Sequence, residues 1–181
     1  MNQEFPNDTS HPAHFRLKTG LRFGIITSLI NSLVSIALYS MGLIDFSGTS
    51  GGWISIVLLG LGIYLATEYY KKYSGGFMSG SDIVVTSLWL GFFSGLISLA
   101  FLLIQLQLDP SILEKMKNVV EMQMENQNMR PEDLEKAMEI SEMFLHPGFL
   151  AVSALVSSLL SGLFAGFILS FFLKKSSNNP F

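Results

Sequence analysis

Four long apolar runs constrain the fold of this chain more than any other feature of its sequence. They occupy residues 23–44, 53–70, 83–106 and 149–173, and Glu68 is the only charged residue within them. At about 1.5 Å of rise per residue, helices of these lengths would cover roughly 27 to 37 Å, which matches a hydrocarbon core of about 30 Å. The sequence therefore predicts four transmembrane helices.

Composition supports an all-α integral membrane protein. Charged residues make up 14% of the chain, whereas a soluble domain carries about 25%, and intrinsic disorder requires the opposite balance of charge and hydrophobicity. The runs do not alternate apolar and polar residues as barrel strands do, so helices are the predicted spanning structure. We expect one membrane domain at residues 20–175, between polar tails at 1–19 and 176–181.

Basic residues predict the orientation of the four helices. Seven of them flank the runs on one side of the predicted bundle: Arg16, Lys18, Arg22, Lys71, Lys72, Lys174 and Lys175. Because short cytoplasmic segments of membrane proteins are enriched in Lys and Arg, this side is predicted to be cytoplasmic. Both termini would then lie in the cytoplasm, and the connection between the third and fourth helices would lie outside.

That connection, residues 109–146, differs sharply from the runs around it. It carries nine acidic and four basic residues, and its apolar residues recur with helical spacing on either side of a polar turn at 126–128. Asp109 before Pro110 indicates the start of a first helix, and Pro131 the start of a second. The segment is predicted to be an amphipathic helical hairpin. Its apolar stripes could be buried against each other, the bundle, the lipid interface or a partner protein.

Three segments of the chain carry a resemblance to a known family. They are YSGGFMS at residues 73–79, DPSILEKM at 109–116, and LEKAME at 134–139 followed by FLHPG at 144–148. Together they resemble the bacterial four-span membrane family catalogued as domain of unknown function family 4199. The resemblance implies a place in the inner membrane of a Gram-negative bacterium, with the hairpin in the periplasm. The family has no established activity and no assigned site residues.

Small residues recur every four positions in three of the runs. The positions predicted to serve helix packing are Gly24, Ser28, Gly91, Gly95, Ser158, Gly162 and Gly166. Such spacing lets helix backbones approach closely in lipid. Two interpretations remain open: these residues pack the helices of a single bundle, or they form the seam of a homodimer.

Two polar residues within the runs are the candidates for an intramembrane polar site. Asn31 lies near the middle of the first run, where an interhelical hydrogen bond is favoured over an ion path. Glu68 lies two residues from the end of the second run, close to Lys71 and Lys72, so a local ion pair is the favoured interpretation.

No pattern typical of catalysis is present. The chain has no cysteine, no Ser/His/Asp set and no phosphate-binding loop, and we expect neither enzyme activity, a metal nor a cofactor. Its mildly acidic net charge of −3 gives no reason to expect a nucleic-acid partner. The sequence favours a structural, accessory or interaction component of the bilayer that contacts a membrane or periplasmic protein through residues 109–146. The alternative is a small transporter or channel, acting as a homodimer, with Asn31 and Glu68 along its path.

The predicted orientation can be tested with a single cysteine, since the chain has none of its own. Asn126→Cys places a thiol in the polar turn of the hairpin. It should react with a membrane-impermeant thiol reagent in intact spheroplasts. Labelling that occurs only after lysis would reverse the orientation.

Overall fold

A computed structural model describes residues 12–42, 52–126 and 131–175, which form six helices. The helices are α1 Pro12–Ser40, α2 Gly52–Tyr73, α3 Gly80–Leu108, α4 Ser111–Glu125, α5 Pro131–Leu145 and α6 Pro147–Leu173. The all-helical prediction is confirmed for the described part of the chain. So is the prediction that four helices, α1, α2, α3 and α6, are long and apolar enough to cross a membrane.

The first helix differs most from its predicted span. It begins at Pro12 and ends at Ser40, whereas the apolar run begins at residue 23 and ends at residue 44, which lies outside the described residues. Residues 12–19, expected in a polar tail, are therefore helical. The reason is tertiary packing: the ring of Phe15 lies 5.0 Å from that of Tyr70 on α2, and Thr19 is buried.

Helix α3 is the central helix of the bundle. It packs against α1, α2 and α6, while α2 also contacts α1 and α6. Residues later in α1 contact residues later in α3. Gly24 lies against Leu90, and the Ser28 hydroxyl donates to the carbonyl oxygen of Ser94 at 3.1 Å. These two helices therefore run parallel. A Cβ atom added to Gly24 would lie 2.7 Å from the Leu90 carbonyl oxygen, so only glycine allows this approach.

Helices α3 and α6 approach equally closely but run antiparallel. A Cβ atom added to Gly162 would lie 2.7 Å from the carbonyl oxygen of Ser87 and 2.9 Å from the Cα of Gly91. The Ser158 hydroxyl donates to the Gly91 carbonyl oxygen at 2.8 Å. This seam is contact between two backbones, as the four-residue spacing predicts.

The start of α3 and the end of α6 are also joined through backbone hydrogen bonds. Met78, in the connection before α3, and Lys175, just after α6, exchange N–H···O bonds of 3.1 and 3.0 Å. Gly75 and Gly76 turn the chain there with φ angles of 68° and 88°, which glycine adopts without steric cost. The starts of α1 and α3 and the ends of α2 and α6 therefore meet at one end of the bundle.

The interior of the bundle mixes apolar and small polar residues. Ile63, Ile83 and Leu90 are fully buried, and so are Ser28 and Ser87. Large apolar side chains such as Leu33 remain exposed at 67%. An outer surface this apolar is unusual for a soluble helical bundle and is typical of helices surrounded by lipid.

Helices α4 and α5 form a hairpin at the other end of the bundle. They pack on each other, with an ion pair between Lys117 and Glu142, while α4 contacts α3 and α5 contacts α6. Helix α5 begins at Pro131, as predicted. Helix α4 begins at Ser111, slightly later than the pattern suggests, although the Asp109 carboxylate still accepts the Ser111 N–H at 3.0 Å.

Two glycine substitutions test whether close backbone contact at the α3–α6 seam stabilises the fold. Gly162→Ala should lower the stability of the detergent-solubilised protein by about 1–3 kcal/mol because the new methyl group overpacks the α3–α6 contact. Gly60→Ala in α2 is the matched control, since nothing lies within 4 Å of its added Cβ. It should be neutral or stabilising by up to about 1 kcal/mol. Equal unfolding midpoints for the two variants would contradict the seam.

Candidate functional site

All the predicted packing positions contact another helix of the same chain. Gly24 and Ser28 lie against α3, while the remaining five positions lie between α3 and α6. Gly95 lies against Ser158, and Gly166 against Ser87. Because these surfaces are occupied inside the bundle, a homodimer of this chain would have to use a different surface.

The α1–α3 seam opens into a polar pocket towards the end of α3. The pocket has a volume of about 160 Å³. It is lined by Asn31, Ser32 and Ser35 from α1 and by Ser98, Phe101, Leu102 and Gln105 from α3. The Ser28 and Ser98 hydroxyl oxygens, 3.1 Å apart, mark the level at which the seam ends. We call this space the α1–α3 pocket.

Asn31 is the deepest-lying amide of the pocket and is incompletely bonded. Its side-chain Oδ1 is buried and has no hydrogen-bond partner in the described part of the chain. The interhelical hydrogen bonds of this region are made one turn earlier, by Ser28. An unsatisfied buried amide oxygen costs about 1–3 kcal/mol, so Asn31 is a polar residue whose burial the described part of the chain does not fully compensate.

Glu68 lies elsewhere and does not line this pocket. It is exposed near the end of α2, where it accepts a hydrogen bond from the Lys71 ammonium at 2.8 Å. The Arg22 guanidinium of α1 donates a hydrogen bond to the hydroxyl of the neighbouring Tyr69 at 3.0 Å. Arg22 lies nine residues, or roughly 14 Å, before Asn31 along the helix. The structure therefore does not bring together the two residues of the predicted polar site.

An ion pair that joins two helices was not found by sequence reasoning. Arg16 Nη2 of α1 lies 2.6 Å from Asp82 Oδ1 of α3, and both side chains are largely shielded from solvent. Asp82 also closes a capping box with Ser79 at the start of α3. Arg16 and Asp82 are 66 residues apart in the chain, so no local pattern links them. The available signal was that each precedes an apolar run, 23–44 or 83–106, that begins on the predicted cytoplasmic side.

Helix α5 exposes a row of apolar side chains that we call the α5 edge: Ile140, Met143 and Phe144. The sequence places Ile140 and Phe144 on a stripe expected to be buried, yet both are about half exposed, whereas Ile112 of α4 is buried. The Phe144 ring packs edge-on against Phe149 of α6 at 4.7 Å. The α5 edge is thus continuous with the exposed apolar surface of α6.

Charged groups of the hairpin interact locally. The pKa of Asp109 is lowered, chiefly because its carboxylate accepts a hydrogen bond from the Ser111 hydroxyl and also faces Lys115. The pKa of Lys117 is raised by the carboxylate of Glu142. No group of three or more His, Asp or Glu side chains suited to a metal ion occurs among the described residues.

A family model described as a protein of unknown function, DUF4199, matches residues 22–175. It covers α1 from residue 22 onwards, the other three candidate membrane helices and the hairpin, in agreement with the resemblance found from the sequence. No curated protein and no solved structure matches the chain.

The Arg16–Asp82 pair can be tested by an isosteric substitution. Asp82→Asn removes the charge but keeps hydrogen-bonding capacity towards Ser79, and it should lower the free energy of unfolding by about 1–3 kcal/mol because Arg16 loses its partner. Glu68→Gln removes an ion pair whose carboxylate side chain is 47% exposed and should change stability by about 0–0.5 kcal/mol. Thermal unfolding in detergent measures both. An Asp82→Asn midpoint equal to that of Glu68→Gln would show that the pair does not join α1 to α3.

Proposed function

This chain belongs to the DUF4199 family, and we propose that it is a multi-pass protein of the bacterial inner membrane with a structural, accessory or interaction role. In this proposal α1, α2, α3 and α6 cross the bilayer and both termini are cytoplasmic. The α4–α5 hairpin lies in the periplasm and contacts a protein partner.

Charge distribution supports this orientation. The seven flanking basic residues belong to the starts and ends of α1, α2 and α6 that meet at one end of the bundle, whereas the acidic hairpin lies at the other. Lys174 and Lys175 directly follow α6, and Lys71 and Lys72 occupy the last turn of α2. This asymmetry is the one that orients multi-pass proteins with their basic segments in the cytoplasm.

The single observation that carries the interaction role is the exposed α5 edge. Met143 is 68% exposed, although the edge occupies the side of an amphipathic helix that normally packs. The edge continues through Phe149 to Val152 on the outer surface of α6. A partner that covers it would therefore meet both the hairpin and a membrane helix, so we propose that the partner is itself an integral membrane protein.

The charge of the hairpin indicates the charge of that partner. Residues 109–146 carry nine acidic and four basic residues, and Glu139 is exposed beside the edge, whereas Glu142 already pairs with Lys117. A transmembrane helix of the partner that extends beyond the bilayer as an apolar segment with basic residues would complement both features. Such a surface accounts for an acidic hairpin better than contact with anionic lipid, which attracts basic helices.

A second candidate function, a small transporter or channel, has one observation in its favour: the α1–α3 pocket, with its unpartnered Asn31. Ion-coupled transport normally employs buried ionisable residues. None of the described residues that line the pocket is ionisable in this way, and Glu68 is not among them.

The interaction role is tested by photo-crosslinking in native membranes. A photoreactive phenylalanine analogue at Met143 or at Val152 should form an adduct of one discrete mass with another membrane protein. The matched control is Val57 of α2, which is similarly apolar and 59% exposed but not part of this surface. It should give no such adduct.

The adduct must also depend on the α5 edge. Ile140→Glu introduces a charge there and should abolish the adduct formed from Val152 while leaving the four-helix bundle folded. Adducts with lipid alone, or an adduct that persists in Ile140→Glu, would contradict a protein partner at this surface. Adducts with a second copy of this chain would show that the surface forms a homodimer and does not bind a different protein.

A further inference from the structure

The α1–α3 pocket lies along the membrane-spanning part of two helices, yet much of its lining is polar. Five of the seven lining residues that the structure describes carry a hydroxyl or an amide group: Asn31, Ser32, Ser35, Ser98 and Gln105. Lipid tails cannot satisfy such groups. A cavity of about 160 Å³ is large enough for several water molecules, each of which occupies about 30 Å³ in the liquid.

We propose that the α1–α3 pocket is a water-filled site, entered from the outer end of the bundle, whose amide and hydroxyl lining binds uncharged hydrogen-bonding molecules. None of the described lining residues is Asp, Glu, Lys, Arg or His, so this part of the lining offers an ion no counter-charge. The serine hydroxyls and the side-chain amides of Asn31 and Gln105 are groups that can bond water.

The direction of access follows from the positions of the lining residues along their helices. Gln105 lies three residues before the end of α3, about 5 Å from the helix end, whereas Asn31 lies nine residues before the end of α1, about 14 Å from it. On the opposite side, the pocket ends at the Ser28–Ser98 contact, beyond which Gly24 lies directly against the Leu90 backbone. The pocket therefore lies in the part of the α1–α3 seam nearest the hairpin end, and backbone contact fills the seam towards the end where α1 begins, so we infer that water enters from the hairpin end.

This inference rests on the proposed orientation, in which the hairpin end faces the periplasm. The two can fail separately. Labelling of Asn126→Cys reports orientation alone, and adding the reagent from each side of the membrane reports which end of the pocket is open.

Single cysteines in this cysteine-free chain test the site. Ser35→Cys and Ser32→Cys are nearly isosteric and should preserve the fold, which size-exclusion chromatography in detergent checks. Both, together with Asn31→Cys, should react with a charged, membrane-impermeant methanethiosulfonate reagent added to spheroplasts, because a thiol in contact with water can ionise to the reactive thiolate. Ser35→Cys, nearest the opening, should react fastest.

Leu33→Cys is the matched control. It lies at the same depth on α1, but on the opposite face, and its native side chain is 67% exposed to the surroundings of the bundle. In lipid its thiol stays protonated, so its reaction should be at least about ten times slower than that of Ser35→Cys.

Three outcomes would overturn the proposal. Pocket thiols that react no faster than Leu33→Cys would show that the pocket is dry. Reaction only with a membrane-permeant, apolar maleimide would show that lipid rather than water fills it. Modification by reagent confined to the cytoplasmic end would show that the pocket opens on the other side.

Discussion

Direct contact between backbones along both sides of α3 is the constraint on which the rest of this structure depends. In lipid, helices gain no hydrophobic free energy by associating, so their packing relies on van der Waals contact and interhelical hydrogen bonds. Gly24 brings α1 against the backbone of α3, and Gly91 and Gly162 bring α6 against it. Helix α3 thereby holds two helices that do not pack against each other among the described residues.

This mode of packing determines where polar groups lie. Small hydroxyl residues fill the seams and bond carbonyl oxygens across them, as Ser28 and Ser158 do, while many large apolar side chains remain exposed on the outer surface. Along α1 the seam begins with glycines and continues with serines and Asn31, whose side chains need more room. The seam consequently opens into the α1–α3 pocket, which Asn31 lines.

The two ends of the bundle have different chemistry. One end concentrates the basic residues, the Arg16–Asp82 ion pair and the backbone bridge between Met78 and Lys175. The other end bears an acidic hairpin whose helices are joined by Lys117 and Glu142, with the α5 edge left uncovered. The first end is extensively cross-connected within the chain, whereas the second bears the exposed α5 edge and lies nearest the α1–α3 pocket. Both proposals, a membrane-protein partner and a hydrated site, concern this second end.

The sequence by itself determined the elements: four apolar helices, an amphipathic hairpin, the segregation of charge and the spacing of small residues. These properties are local or periodic, and a single helix expresses them without knowledge of its neighbours. The tertiary structure decided which faces meet. It placed Gly24 against α3, extended α1 back to Pro12 through packing of Phe15 on Tyr70, paired Arg16 with Asp82, separated Asn31 from Glu68 and left Ile140 exposed. Each of these outcomes depends on contacts between residues distant in the chain, and periodicity identifies the face of a helix but not the surface that covers it.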